Sequence, residues 1–153
     1  MTFIRNAWYA AARIDEVSEV PLARTYLGLP VVLFRNFDGE IGALLDACPH
    51  RGVPLSLGEV RDGLIRCHYH AMMFDVGGVC RFNPHVKGPP DRLRGRSFPT
   101  VERHDFVWIW MGDEALADPT QIVDYSLFGP QSDYTMATAI CVSRPTTGWS
   151  STT

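Results

Sequence analysis

Two short cysteine–histidine motifs constrain this chain more than any other feature. Cys48-Pro49-His50 places a thiol and an imidazole two residues apart, and Cys67-His68-Tyr69-His70 places a second pair three residues apart. Sixteen residues separate His50 from Cys67. Gly52 follows the first motif and lets the chain turn tightly there. A fold that uses both motifs has to bring two loops together, each supplying one sulfur and one nitrogen.

Short apolar runs separated by turn residues predict an all-β fold. The 153 residues include eleven prolines and thirteen glycines, which is typical of a chain with many turns. Asp38-Gly39, Gly77-Gly78 and His104-Asp105 each lie between two apolar or β-branched runs. The predicted hairpins pair 30–35 with 41–46, 73–75 with 79–82, and 100–103 with 106–111. We therefore expect a small antiparallel β sandwich or barrel, in which the two cysteine–histidine motifs occupy hairpin loops.

Composition and charge exclude several classes of function. The net charge of −3 comes with no long basic run, which argues against a nucleic-acid partner. No apolar stretch reaches the roughly 18–20 residues that a membrane span needs. The first residues, Met1–Arg5, lack the apolar core of a signal peptide, so the chain is predicted to be cytoplasmic. Cysteines of cytoplasmic proteins more often bind metal or act in catalysis than form disulfides.

The mixture of ligands in each loop distinguishes between metal centres. A zinc finger usually takes two cysteines from a hairpin and two histidines from a helix. Here each loop offers one of each, and the predicted flanks are strands. Facing loops of this kind place two thiolates on one iron and two imidazoles on the other, the arrangement of a Rieske-type [2Fe-2S] cluster. The predicted ligands of the cluster are Cys48, His50, Cys67 and His70.

The remaining cysteines and histidines are assigned lesser roles. His68 is an alternative ligand within the second motif, but we interpret it as a neighbouring loop residue. His85 and His104 are predicted to be surface or turn residues, and Cys80 and Cys141 have no histidine close by. A structural zinc site remains the alternative to the iron–sulfur cluster.

From Asn6 to about Tyr125 the sequence resembles the N-terminal part of Rieske non-haem iron oxygenase α subunits, of the vanillate O-demethylase-like and phenylpropionate dioxygenase-like kinds. The residues that carry the resemblance are Arg5–Tyr9, Pro49–Gly58 and Val107–Gly112. Ala71 departs from the family pattern, which usually has glycine after the second histidine, and its methyl group is expected to crowd the loop slightly.

The resemblance implies a role in an aromatic-ring oxygenase, an oxidoreductase that depends on NAD(P)H. A flavin and iron–sulfur reductase would supply electrons to the [2Fe-2S] cluster. The cluster would relay them to a mononuclear non-haem Fe(II) that hydroxylates or demethylates an aromatic substrate. The intact family member would be a homotrimer.

The predicted domain boundaries leave no room for that second iron. Residues 1–115 are predicted to form the Rieske domain, 116–134 a linker, and 135–153 an unpatterned tail. No histidine follows His104, so no catalytic residue is assigned in this chain. A reading frame shifted near Tyr134 would explain the tail, since the shifted codons can encode a string that resembles the start of a catalytic domain. The alternatives are a free-standing Rieske ferredoxin-like electron carrier and a zinc-stabilised binding module.

Overall fold

The structure, a computed structural model, describes residues 3–86 and 93–126. This part of the chain forms antiparallel strands joined by turns and short 3₁₀ segments, so the predicted all-β class is confirmed. The strands are β1 Ala7–Arg13, β2 Leu22–Tyr26, β3 Leu29–Arg35, β4 Ile41–Leu45, β5 Glu59–Arg61, β6 Leu64–Arg66, β7 Met73–Phe74, β8 Cys80–Phe82, β9 Thr100–Arg103 and β10 Phe106–Met111. The 3₁₀ segments are Ile14–Glu16, Leu55–Leu57, Glu114–Leu116 and Pro119–Gln121.

The strands make three sheets, with the orders β1-β10-β9, β2-β3-β4 and β5-β6-β7-β8. All three hairpins predicted from the sequence are present, as the pairs β3–β4, β7–β8 and β9–β10. The tight turns at Asp38-Gly39, Gly77-Gly78 and His104-Asp105 therefore connect neighbouring strands, as the turn residues indicated.

Strand β3 is buried on both faces, which explains its unbroken apolar sequence. Val32 and Phe34 belong to one core, and Val31 and Leu33 belong to a second core on the opposite face. All four side chains are inaccessible to solvent. Successive residues of a strand point to opposite sides, so a strand between two cores needs no polar alternation. The sheet β2-β3-β4 is thus the middle layer of the domain.

Strand β10, in the sheet β1-β10-β9, also has buried side chains on both faces. Val107, Ile109 and Met111 pack into the second core, while Trp110 is buried on the other face against Trp8, with the ring centroids 5.4 Å apart. Both faces of β10 are therefore buried in its second half, from Ile109 to Met111.

Residues 116–126, the beginning of the predicted linker, pack against the β1-β10-β9 sheet. The indole Nε1 of Trp8 donates to the carbonyl of Asp118 at 2.8 Å, and Ile122 is buried. Tyr125 stacks on Trp108, with 6.1 Å between ring centroids and 13° between planes. The later part of that linker and the tail 135–153, including the hypothesis of a shifted frame, lie outside the described residues.

The first core holds the two motif cysteines and so fixes where the motifs meet. Cys48 and Cys67 are members of it, together with Leu55 and Phe74. The second motif lies in the turn between the paired strands β6 and β7, which is a hairpin loop as predicted. The first motif differs from the prediction, because its loop leaves β4 and enters β5 in another sheet. It is a crossing between layers rather than a hairpin loop.

Candidate metal centre

The first motif loop is closed by backbone hydrogen bonds on both sides of the cysteine. The Cys48 amide donates to the Val53 carbonyl, and the Gly52 amide donates to the Cys48 carbonyl, each at 2.7 Å. Gly52 has φ +71°, a left-handed conformation that glycine adopts without steric cost. A second closure lies outside this turn, where the Asp46 carboxylate accepts both the backbone N–H of Ser56 at 2.7 Å and its hydroxyl at 2.6 Å.

The second motif loop repeats the same turn. The Cys67 amide donates to the Met72 carbonyl at 2.9 Å, and the Ala71 amide donates to the Cys67 carbonyl at 3.0 Å. Ala71 therefore occupies the position of Gly52 and has φ +56°. The two loops differ in the spacing between cysteine and histidine, but both have the same two backbone hydrogen bonds around the cysteine. The departure from the family pattern at Ala71 places a Cβ in a left-handed conformation, which has a backbone cost.

The two cysteines provide the buried side of the site. Cys48 is 3% and Cys67 1% exposed, and both are free thiols in the described part of the chain. The pKa of the Cys48 thiol is raised to about 11, chiefly by burial; the backbone N–H groups of His50 and Arg51 act to lower this pKa, and the neighbouring Cys67 thiol acts to raise it. The Cys48 sulfur therefore carries a thiolate at neutral pH only with a cation beside it, as metal coordination provides.

The two histidines provide the outer side of the site. The rings of His50 and His70 lie 4.7 Å apart between centroids and are tilted by 65°. Tyr69 packs on the His70 ring at 3.8 Å. Desolvation lowers the pKa of His70, and the neighbouring His50, His85 and Arg51 lower it further. Both effects favour the neutral imidazole that binds metal.

Other histidines occupy different positions. His68 is exposed beside the second loop, as expected of a neighbouring loop residue. His104 lies in the β9–β10 turn, with its Nε2 3.3 Å from Asp124 Oδ1. His85 was expected only to be a surface or turn residue, yet its exposed ring lies 5.8 Å from that of His70. The sequence offers no signal for that proximity, because the turn after β8 decides it.

The donor set fits a two-iron group. Two adjacent buried thiols and two adjacent imidazoles come from the two motif loops, one of each from each loop. Two sulfurs and two nitrogens divided in this way match a cluster in which one iron binds two cysteines and the other two histidines.

Comparison with known proteins agrees with this chemistry. Residues 7–101 match the Rieske [2Fe-2S] domain family. The chain belongs to this family. The resemblance found in the sequence is therefore confirmed, and all four residues predicted to bind the cluster lie inside the matched range of the Rieske domain.

Two curated relatives indicate which kind of Rieske protein this chain is similar to. It is 55% identical over 126 residues to the oxygenase component of dicamba O-demethylase from Stenotrophomonas maltophilia, covering 82% of this chain and 37% of that protein. It is 40% identical over 124 residues to a vanillate O-demethylase oxygenase subunit from a Pseudomonas species, covering 78% and 34%. The chain thus spans little more than a third of the length of these relatives.

A solved structure supports the same placement. The crystal structure of dicamba monooxygenase with non-haem iron and dicamba superposes with a TM-score of 0.79 at 54% identity, covering 82% of this chain and 39% of that one. The Rieske fold is therefore shared over the described residues.

None of the helices in the described residues is long and apolar enough to cross a membrane.

Proposed function

We propose that Cys48 and Cys67 bind one iron of a [2Fe-2S] cluster, and that His50 and His70 bind the other. The observation that carries this proposal is the pairing of two buried thiols and two outer imidazoles by loops of identical hydrogen-bonding pattern. When bound, the cluster supplies one-electron redox chemistry, at a potential above that of all-cysteine ferredoxins because neutral imidazoles replace two thiolates.

The chain's own residues prepare the two ends differently. The core around Leu55 and Phe74 excludes water from the cysteines, and the amides of His50 and Arg51 stabilise negative charge on the Cys48 sulfur. At the other end, His50 is exposed and His70 is partly exposed. Electrons would therefore enter and leave on the histidine side, where a partner can approach.

The function of the chain follows from the kind of relatives it has. It would act as the electron-transfer domain of an aromatic-ring hydroxylating or O-demethylating oxygenase, with residues 1–115 as its Rieske domain. A flavin and iron–sulfur reductase would be the donor, and a mononuclear non-haem iron in the longer parent protein would be the acceptor. The parent would be cytoplasmic and homotrimeric. The oxygenase components named among the relatives support this role.

Reconstitution of the 153-residue chain with iron and sulfide under anaerobic conditions tests the ligand assignment. The oxidised protein should be red-brown and should hold two irons and two sulfides per chain. A colourless protein that binds one zinc would contradict the proposal and support the zinc-stabilised alternative.

Matched substitutions within the same motifs sharpen that test. His70→Gln and Cys67→Ser should abolish the visible spectrum of the cluster, whereas His68→Gln and Cys80→Ala should preserve it. His68 shares the second motif but is exposed to solvent, and Cys80 is buried in the same core as the ligands. A spectrum that is unchanged in His70→Gln, or one that is lost in His68→Gln, would contradict the assignment of His70 as a nitrogen ligand.

A further inference from the structure

The carboxylate of Asp46 fixes the far end of the loop that carries Cys48 and His50. It accepts two hydrogen bonds from one residue, the N–H of Ser56 at 2.7 Å and the hydroxyl of Ser56 at 2.6 Å. Both bonds are partly buried, and hydrogen bonds to an ionised carboxylate are stronger than those between neutral groups. We call this pair the Asp46–Ser56 clamp.

The position of the clamp gives it a role that the backbone turn cannot supply. Hydrogen bonds between Cys48, Gly52 and Val53 close the turn itself but do not attach it to the rest of the domain. The first loop crosses from one sheet to another, so no strand pairing joins its two ends. The clamp spans ten residues and ties the end of β4 to the 3₁₀ segment Leu55–Leu57.

The second loop needs no such device. Its ends, Arg66 and Met73, are paired directly in the β6–β7 ladder. The hairpin therefore fixes the separation of its two ends, and no carboxylate clamp bridges them among the side-chain hydrogen bonds of the described residues. This difference between the two loops explains why a partly buried carboxylate bridges the ends of the first loop.

From this geometry we propose that Asp46 and Ser56 are positioning residues for the cluster. The clamp holds the first loop so that Cys48 and His50 face the second loop before and after metal binds. This inference rests on the ligand set proposed above, and it concerns how firmly those ligands are held. Preorganised ligands release metal more slowly, because the loop does not open to expose them.

The test compares release of the cluster from the reconstituted full chain. Ser56→Ala removes the hydroxyl bond and leaves the backbone bond, so the variant should fold. We expect it to lose iron to a chelator about tenfold faster than the wild type, and its reduced cluster should give a broadened EPR signal. Ser56→Thr retains a hydroxyl and should restore both properties.

A control of the same chemistry lies elsewhere in the chain. The Asp118 carboxylate also accepts the N–H of Thr120 at 2.9 Å and its hydroxyl at 2.8 Å, in a different part of the fold. Thr120→Ala should leave iron release and the EPR signal unchanged. Far-UV circular dichroism and the melting temperature of each variant separate a local effect from general loss of stability.

The proposal is decided by iron release, the EPR signal and thermal stability taken together. Faster release in Ser56→Ala alone, reversed by threonine, supports it. Release and EPR signals equal to those of the wild type, or a melting temperature lowered without change at the cluster, would overturn it. A double variant Asp46→Ala/Ser56→Ala should release iron no faster than Asp46→Ala alone, because Asp46→Ala already removes both hydrogen bonds, and additive effects would also overturn the proposal. If the wild-type chain takes up no cluster at all, the proposed function fails instead.

Discussion

The equivalence of the two motif loops can be tested by exchanging glycine and alanine between them. Gly52 and Ala71 occupy the same position in the two turns, with φ of +71° and +56°. A left-handed conformation costs an L-residue about 1–2 kcal/mol, and glycine avoids that cost. Part of the gain is lost because glycine has more freedom in the unfolded chain, by about 0.4–1 kcal/mol.

The net expectation is an increase in the free energy of unfolding of about 0.5–1 kcal/mol for Ala71→Gly. Gly52→Ala should lower it by about the same amount. A Cβ at Gly52 would meet no other atom within 4 Å, so the cost at that position comes from the backbone alone. The two substitutions should therefore have opposite signs.

Urea titration of the metal-free chain, followed by tryptophan fluorescence and circular dichroism, measures both changes. Ala23→Gly is the control, since Ala23 lies exposed in the extended strand β2, where the same chemical change should destabilise the fold by about 0.5–1 kcal/mol. If Ala71→Gly destabilises the chain as Ala23→Gly does, Ala71 is not in a left-handed turn and the equivalence of the loops is wrong.

Two further predictions concern the cores. Burial raises the pKa of Tyr26 to about 12 from 10.0, so its contribution to stability is complete below pH 10 and is lost as the pH rises towards 12. Tyr26→Phe also removes a hydrogen bond to the Ala11 carbonyl, so it should lower the free energy of unfolding by about 1 kcal/mol at pH 7. It should also make the fall in unfolding free energy between pH 10 and 12 less steep. A fall as steep as in the wild type would contradict this prediction. Phe34→Ala should lower the free energy of unfolding by about 3–5 kcal/mol, because Phe34 is fully buried. Phe37 is 63% exposed, so Phe37→Ala should lower it by less than about 0.5 kcal/mol. Thermal or urea unfolding measures both changes, and equal costs would refute the placement of the core.

The sequence predicted much of the fold because its turn residues are local signals. Asp38-Gly39, Gly77-Gly78 and His104-Asp105 each specify a tight connection, and each lies between paired strands. The first motif loop was wrongly expected to be a hairpin loop. Cys48-Pro49-His50 defines a tight loop, but which strands flank it depends on pairing between distant residues.

The four proposed ligands could be named from the sequence, but the residues that hold their loops in place could not. Sulfur and nitrogen donors in two short motifs point to a mixed cluster from spacing alone. The clamp of Asp46 and Ser56 was missed because an aspartate and a serine ten residues apart give no distinctive pattern. His85 was missed for a similar reason, since only the turn after β8 brings it beside His70.

Pulsed EPR of the reduced, reconstituted chain tests the central claim most directly. If His50 and His70 both bind one iron, the spectrum should show two strongly coupled nitrogen nuclei from directly bound imidazoles. His70→Cys should leave one such nitrogen if the cluster is retained. A reduced cluster with no strongly coupled nitrogen, or with its two couplings intact in His70→Cys, would contradict the assignment of the cluster.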